Sequence, residues 1–243
     1  MAHGTPDWGV TAGAVTTYQL SDMAELAARL GSPVTWDRRG EVIWWDDFEW
    51  GLTKWTGVIG GLNGSIALST VRARNGRRSC ALSAGADAGR FAEIYHYNAK
   101  GVNSRVGVEV WFSQGAAIEV FRVEETVYDG VNSTTFGVQW ENAGNRLLYL
   151  NAAGAYTEFA SAVDLMVQTT LFHSLKVVGD AATDLYVRCI LDDREYSLAG
   201  IGGWVSGSGE RPAISLVLVA FGSPGQNDTV FVDDVILTQN EPA

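Results

Sequence analysis

The sequence predicts an all-β fold in which two antiparallel sheets form a sandwich. Short runs of alternating apolar and polar residues recur along most of the chain, and clusters of Gly, Asn and Asp separate them. Strand-like segments at 44–49 and 230–237 frame these runs, so we expect the first and last strands to pair and to close one sandwich. No pattern with a 3.6-residue period persists beyond the N-terminal region, which argues against a helical body.

Residues 1–40 differ from the rest and predict an N-terminal arm, followed by the sandwich over 41–243. A capping box at 22–25 and apolar residues at helical spacing predict one short amphipathic helix, and a hairpin around 37–40 leads into the sandwich. The arm is too apolar for a disordered tail and too short for a core of its own. We therefore expect it to lie on its own sandwich or on a neighbouring subunit, and we predict that it mediates assembly through Trp8, Tyr18, Met23, Leu26 and Leu30.

The strands are predicted in order from runs that turn residues bound on both sides. The alternation is clearest at 172–178 and 185–191, where one face is apolar and the other is mixed. The glycine-rich segment 200–209 predicts a flexible loop. The predicted strands are 41–48, 57–59, 65–69, 79–83, 91–97, 104–112, 117–125, 134–141, 146–150, 155–159, 170–179, 185–191, 194–197, 213–221 and 229–238.

Three of these segments resemble strands of the concanavalin A-like (laminin G-like) jelly-roll superfamily. They are FHSLKVV at 172–178, YVRCILDDREY at 186–196 and VDDV at 232–235. In that superfamily a WHHLKV strand precedes a strand that ends in a DG or DD hairpin, and the last strand reads DDV. The resemblance covers 44–237 and implies a two-sheet jelly roll. It does not imply sugar binding, because this fold also serves as a structural module.

Acidic residues near the two end strands predict a calcium site. If those strands are neighbours, Asp47, Glu49 and Asp233 converge, and Ca²⁺ takes six to eight oxygen ligands. Many jelly-roll binding modules, which this chain resembles, hold a structural Ca²⁺ between their first and last strands. The alternative is that these acids cap turns or pair with arginine.

No catalytic motif is apparent, and the sequence predicts that the protein is not an enzyme. A glycoside hydrolase needs two carboxyl groups about 5 Å apart, and enzymes on this fold carry acids at alternate positions of one strand. The nearest segment, 119–125, has Arg122 and Val123 where that pattern needs acids, so its glutamates are expected to face solvent. The sequence also lacks a Gly-x-Ser-x-Gly elbow, and its histidines and cysteines are isolated.

The formal net charge of −11 disfavours nucleic acid as a partner, because affinity for phosphates comes from lysine and arginine. The basic cluster of Arg72, Arg74, Arg77 and Arg78 surrounds Asn75-Gly76, which predicts a solvated hairpin tip. The alternative is that this cluster binds an acidic partner surface. No apolar run is long enough to predict a membrane span. Two buried free thiols are expected at Cys80 and Cys189.

Trp44 and Trp45 are consecutive, so in a strand one indole must point away from the core. The arm, a glycan or another subunit is expected to cover that ring, which makes both residues candidates for ligand binding.

Together these observations predict a non-enzymatic structural or decoration protein of a virus or phage particle, located in the virion. Its partners would be other copies of the chain or a capsid protein. No cofactor is required, and the structural Ca²⁺ considered above is the candidate metal. The arm and the strand order also resemble those of uncharacterised tailed-phage virion proteins. The alternative is a carbohydrate-binding module that recognises surface glycans.

Overall fold

A computed structural model describes residues 39–86, 89–99, 104–116, 118–168, 170–223 and 225–243. The predicted arm lies outside these residues except for its last two positions, so its helix and its five assembly residues stay predictions. The described part of the chain contains only strands and connections, with no helix and therefore none that could span a membrane.

Sixteen strands form from the alternating runs, and most begin and end within a few residues of their predicted bounds. They are β1 (Glu41–Asp46), β2 (Thr56–Gly60), β3 (Ser65–Ser69), β4 (Ser79–Ser83), β5 (Phe91–Ala99), β6 (Arg105–Gln114), β7 (Ile118–Tyr128), β8 (Asn132–Glu141), β9 (Arg146–Leu150), β10 (Tyr156–Ala160), β11 (His173–Asp180), β12 (Leu185–Leu191), β13 (Arg194–Ser197), β14 (Trp204–Gly207), β15 (Ala213–Gly222) and β16 (Thr229–Gln239).

The strands form two antiparallel sheets, as the sequence predicts. Sheet A has the order β13-β12-β11-β6-β16-β4-β3, and β1 pairs with β16 beyond the end of β4. Sheet B has the order β10-β9-β8-β7-β15-β5-β2, and β14 pairs with β8. The pairing of the first and last strands is confirmed, with Trp45 opposite Ile236 and Asp46 opposite Val235.

The core lies between the sheets and follows from the two-residue period of the strands. Val108, Val110 and Phe112 of β6 point inward from sheet A, while Phe121 and Val123 of β7 point inward from sheet B. The Phe112 and Phe121 rings meet with their centroids 4.5 Å apart. Burial of each such side chain contributes about 1.5–3 kcal/mol, so the large shared core explains why a chain with two buried free cysteines holds together without a disulfide.

The prediction of a flexible loop at 200–209 is wrong, because this segment contains β14. Trp204 to Gly207 pair with the first half of β8, from Thr135 to Asn132. The glycines hide the strand in the sequence, since they interrupt the alternating pattern on which strand prediction depends.

The arginine-rich segment is the tip of the β3–β4 hairpin, as predicted, but only part of it is solvated. We call residues 70–78, which connect β3 to β4, the arginine loop. Arg74 is only 24% exposed and forms an ion pair with Asp234. Arg72 donates hydrogen bonds to the Ser113 hydroxyl and the Gln114 carbonyl oxygen. Two of the four guanidinium groups of the arginine loop are therefore part of the packed structure.

Candidate functional site

The outward side of sheet B, which we call the open face, collects polar and aromatic side chains in rows across the strands. Directly opposite residues of paired strands share a face. One row runs from Tyr95 on β5 through Val217 on β15 to Glu124 on β7. The next row runs from Tyr97 through Ser215, Thr126 and Thr135 to Trp204 on β14.

One hydrogen bond spans several strands of the open face. The Tyr156 hydroxyl on β10 donates to Glu124 Oε1 on β7 over 2.6 Å. These two strands are three positions apart in the sheet, which is about 14 Å in a flat arrangement. Tyr156 therefore reaches across the outward face of β9 and β8, and a Cβ atom on Gly137 of β8 would lie 2.7 Å from its hydroxyl oxygen. We call the part of the open face around Arg122 and Glu124 the cleft.

Arg122 forms the floor of this cleft, and its guanidinium is held on several sides. Its Nε and Nη2 donate to the Gln139 amide oxygen at 3.1 and 3.0 Å. Its Nη1 lies 3.6 Å from Glu124 Oε1. The Tyr156 and Phe221 rings approach the guanidinium carbon at 4.4 and 4.8 Å. A cation fixed in this way presents a preorganised group to a ligand.

Glu93 on β5 and Glu124 on β7 are two carboxyl groups of the same face in different environments. Partial burial raises the pKa of Glu93 above its ordinary value, the Glu124 carboxylate raises it further, and Arg122 opposes the shift. Glu124 instead accepts the Tyr156 hydroxyl hydrogen bond and lies next to Arg122. Glu93 therefore favours the protonated form at a higher pH than an isolated glutamate.

Aromatic side chains line opposite sides of the cleft. On one side Tyr97 is 52% exposed, and its ring centroid lies 5.7 Å from that of Tyr95 and 6.1 Å from that of Tyr128. On the other side Trp204 is 40% exposed. Burial, followed by a hydrogen bond with Tyr97, raises the pKa of Tyr128 to about 12, so this phenol stays neutral. Neutral phenols and an indole are surfaces on which a sugar ring can stack.

Glu49 and Asp233, two of the three acids predicted to bind calcium, contact the arginine loop. Glu49 Oε1 accepts hydrogen bonds from the main-chain N–H groups of Arg77 and Arg78 at 2.6 and 2.7 Å. Asp233 accepts hydrogen bonds from the main-chain N–H groups of Arg74 and Asn75.

Asp47 completes this acidic group, because its charge raises the pKa of Asp234, although burial of Asp234 is the larger cause. In the described part of the chain, no group of three or more His, Cys, Asp or Glu side chains has an arrangement suited to a metal ion. Calcium binding stays a prediction.

Trp44 and Trp45 point to opposite sides of β1, as two consecutive strand residues must. Trp44 stacks on His96 with ring centroids 4.1 Å apart and packs against the core. Trp45 is 46% exposed, and Lys54 Nζ lies 5.7 Å from its ring centroid. Their role in ligand binding stays a prediction.

The glutamates of 119–125 do not simply face solvent. Glu124 lines the cleft, while the adjacent Glu125 points between the sheets and is fully buried, with the Gly179 N–H donating to its Oε1 at 3.1 Å. Burial and then the Glu241 carboxylate hold the pKa of Glu125 well above its ordinary value. The cleft itself escaped sequence analysis because its residues come from six strands. Only the Arg122-x-Glu124 alternation within β7 could have indicated the cleft, because residues two apart in a strand share a face.

Solved structures with this fold are numerous, although no protein-family model and no curated protein matches the chain. The endo-β-1,4-glucuronan lyase of the fungus Trichoderma reesei has a TM-score of 0.55 at 12% identity, over 82% of this chain and 96% of its own. The carbohydrate esterase of the Shiga toxin-encoding bacteriophage phi24B has a TM-score of 0.53 at 13% identity, over 83% and 100%. A sialidase matches with a TM-score of 0.53 at 10% identity over 86% of this chain, which spans 19% of the sialidase.

These matches support the concanavalin A-like jelly roll that the sequence predicts, and β-glucanases share the fold as well. They overturn the prediction that the protein is not an enzyme, because proteins with this fold include a lyase, an esterase and glucanases. The error arose from treating one strand motif as necessary for catalysis. Nothing in the comparisons supports the predicted virion role.

Proposed function

We propose that this domain binds a glycan in the cleft on the open face of sheet B. The observation that carries the proposal is the combination of aromatic walls and a fixed hydrogen-bonding floor. Tyr97 and Trp204 lie at opposite ends of one row, and Arg122, Glu124 and Gln139 form the floor. Sugar rings offer apolar faces to aromatic side chains and hydroxyl groups to polar ones, so both halves of the cleft have a use.

The charges of the cleft favour a neutral glycan. Glu93, Glu124 and Glu141 contribute carboxyl groups to this face, against the guanidinium groups of Arg122 and Arg146. Arg146 is already paired with Glu141 at 2.6 Å, and Arg122 is held by Gln139 and Glu124. An anionic sugar would meet more negative than free positive charge and would be repelled.

A glycan array tests this proposal. We expect the full chain to bind a subset of neutral glycans and the Tyr97→Ala and Glu124→Gln variants to lose at least about tenfold in affinity, since each removes a contact worth about 1–3 kcal/mol. Glu195→Gln changes an exposed carboxylate of sheet A and serves as the control. Absence of glycan binding, or equal binding by all variants, would contradict the proposal.

Glycan cleavage is a second candidate function, favoured by the unequal environments of Glu93 and Glu124. A carboxyl group with a raised pKa can donate a proton to a leaving group, while an ionised partner serves as base or nucleophile. In these roles Glu93 would be the acid and Glu124 the carboxylate.

The test for cleavage is the release of reducing ends from a panel of polysaccharides. We expect Glu93→Gln and Glu124→Gln each to abolish release, and Glu119→Gln on the same strand to retain it. If the unmodified chain releases reducing ends from none of the polysaccharides, this second function is excluded. The proposal of glycan binding does not depend on that result.

A further inference from the structure

A surface pocket outside the cleft lies where the arginine loop meets the connection after β1. It has a volume of about 450 Å³ and is lined by Glu49, Trp50, Thr70, Arg77 and Arg78. Trp50 is 87% exposed, more than any other large apolar side chain in the described residues. An indole left in water beside a pocket is a surface that a ligand can cover.

The pocket is held in shape by Glu49. Its Oε1 accepts the main-chain N–H groups of Arg77 and Arg78, and Arg78 Nη1 donates to the Glu49 carbonyl oxygen at 3.3 Å. Gly76 makes this contact possible, because its φ is +63° and a Cβ atom there would lie 2.5 Å from Glu49 Oε1. The negative charge of Glu49 is thus engaged by main-chain donors, and the loop is fixed before any ligand arrives.

The free charge of the pocket is positive, in a chain whose formal net charge is −11. Four of the 17 lysines and arginines lie within residues 72–78. Arg72 and Arg74 are engaged by Ser113 and Asp234. Arg77 is exposed, and within the described part of the chain its guanidinium makes no hydrogen bond or ion pair.

We propose that this pocket binds an acidic saccharide, one whose pyranose ring carries a carboxylate. The Trp50 indole would stack on the apolar face of the ring, and the Arg77 guanidinium, supported by Arg78, would pair with the carboxylate. Guanidinium matches the planar geometry of a carboxylate with two parallel donors. This site is separate from the cleft, whose floor favours neutral sugars, and it does not depend on the function proposed there.

Calorimetric titration with a short oligogalacturonate tests the proposal, with its carboxyl-reduced neutral counterpart as the matched ligand. We expect the acidic ligand to bind, and binding to weaken at least about tenfold in Arg77→Gln and in Trp50→Ala, as loss of a charge-assisted hydrogen bond or a stacked ring would cause. Arg211→Gln, which changes an exposed arginine after β14, should bind as the unmodified chain does. Tyr97→Ala in the cleft should also leave this affinity unchanged, which separates the two sites.

Three outcomes would overturn the proposal. The first is no binding of the acidic ligand, and the second is binding that survives both Arg77→Gln and Trp50→Ala. In the third, inorganic polyphosphate binds as tightly as the saccharide and its binding is unaffected by Trp50→Ala. That result would identify the loop as a site for anions in general.

Discussion

Arg122 sets the geometry of the cleft because its guanidinium links groups from four strands. The guanidinium donates a hydrogen bond to Gln139 of β8 and forms an ion pair with Glu124 of β7. It also lies against the rings of Tyr156 of β10 and Phe221 of β15. Each contact fixes one direction of the planar cation, so a ligand encounters donors that are already oriented. This preorganisation lowers the entropy that binding must overcome.

Asp233 gives a pH dependence of stability. Burial, and then the neighbouring Asp234 carboxylate, raise its pKa to about 7, against the opposing effect of three main-chain N–H donors. Between about pH 4 and pH 7 the folded state holds a proton that the unfolded state has lost, so stability falls as pH rises through this window. We expect Asp233→Asn to flatten the profile there. Thermal midpoints of the unmodified chain and of Asp233→Asn, measured across this pH range, test this prediction. Parallel profiles for the two proteins would show that Asp233 does not cause the pH dependence.

Glu241 carries a second residue-scale prediction, because it neutralises two buried cations. It lies 2.7 Å from Lys176 Nζ and 2.5 Å from Arg188 Nη2, and all three side chains are at most 2% exposed. Glu241→Gln should lower the free energy of unfolding by about 3–5 kcal/mol, since each cation loses a buried carboxylate partner.

The matched control for Glu241 is Glu195→Gln, which breaks the exposed pair with Arg39 and should cost under about 1 kcal/mol. Chemical denaturation measures both changes. Equal effects of the two substitutions would show that burial does not govern these ion pairs.

At the scale of the element, β8 supplies the space that the cleft needs. Gly137 lies opposite Glu124, and a Cβ atom there would lie 2.7 Å from the Tyr156 hydroxyl and 3.1 Å from Glu124 Cγ. Gly137→Ala should therefore displace Tyr156 from Glu124 and weaken glycan binding by about tenfold, the loss expected for one good hydrogen bond to a charged group. Gly207→Ala on β14 is the control, because nothing lies within 4 Å of its added methyl group. Titration with the same glycan should separate the two variants, and equal affinities would contradict the assignment.

The sequence predicts those elements that alternate and misses those that do not. The pattern at 185–191 became β12 with the expected bounds, because period-two alternation reports directly on which side chains are buried. β14 was missed, since the glycines in and around it interrupt that pattern. Pairing of β1 with β16 could be predicted from the residues at the two ends of the sandwich. The hydrogen-bond donors to Asp233 could not be predicted, because they lie in the arginine loop and depend on where that loop contacts β16.

At the largest scale, charge differs in sign between two surfaces of the described residues. Carboxyl groups outnumber guanidinium groups on the open face, while the arginine loop concentrates positive charge beside Glu49 and Asp233. Sequence reasoning located the acids of the end strands but not the arginines that contact them, because the two sets are about 160 residues apart in the chain for Arg74 and Asp234. The cleft could not be predicted for the same reason, since a site built from several strands has no motif of consecutive residues.

The calcium prediction is tested at this scale by a thermal melt. The arginine loop already supplies donors to Glu49, Asp233 and Asp234, which relieves the repulsion among these acids. If these contacts take the place of a metal, as in the alternative of turn capping and arginine pairing, the midpoint is the same with calcium and with excess chelator. A ligand that binds only the folded state raises the midpoint by mass action, so a rise of several degrees with calcium would establish the metal site instead.

A Val217→Arg substitution blocks the open face of sheet B and so tests whether glycan binds there. Val217 lies at the middle of the cleft, between Tyr95 and Glu124, and points away from the core. An arginine there would fill the cleft without removing any proposed contact group. Calorimetric titration with the tightest glycan found on the array should show Kd raised at least about tenfold while the thermal midpoint stays within a few degrees. An unchanged Kd for a folded Val217→Arg protein would contradict the account.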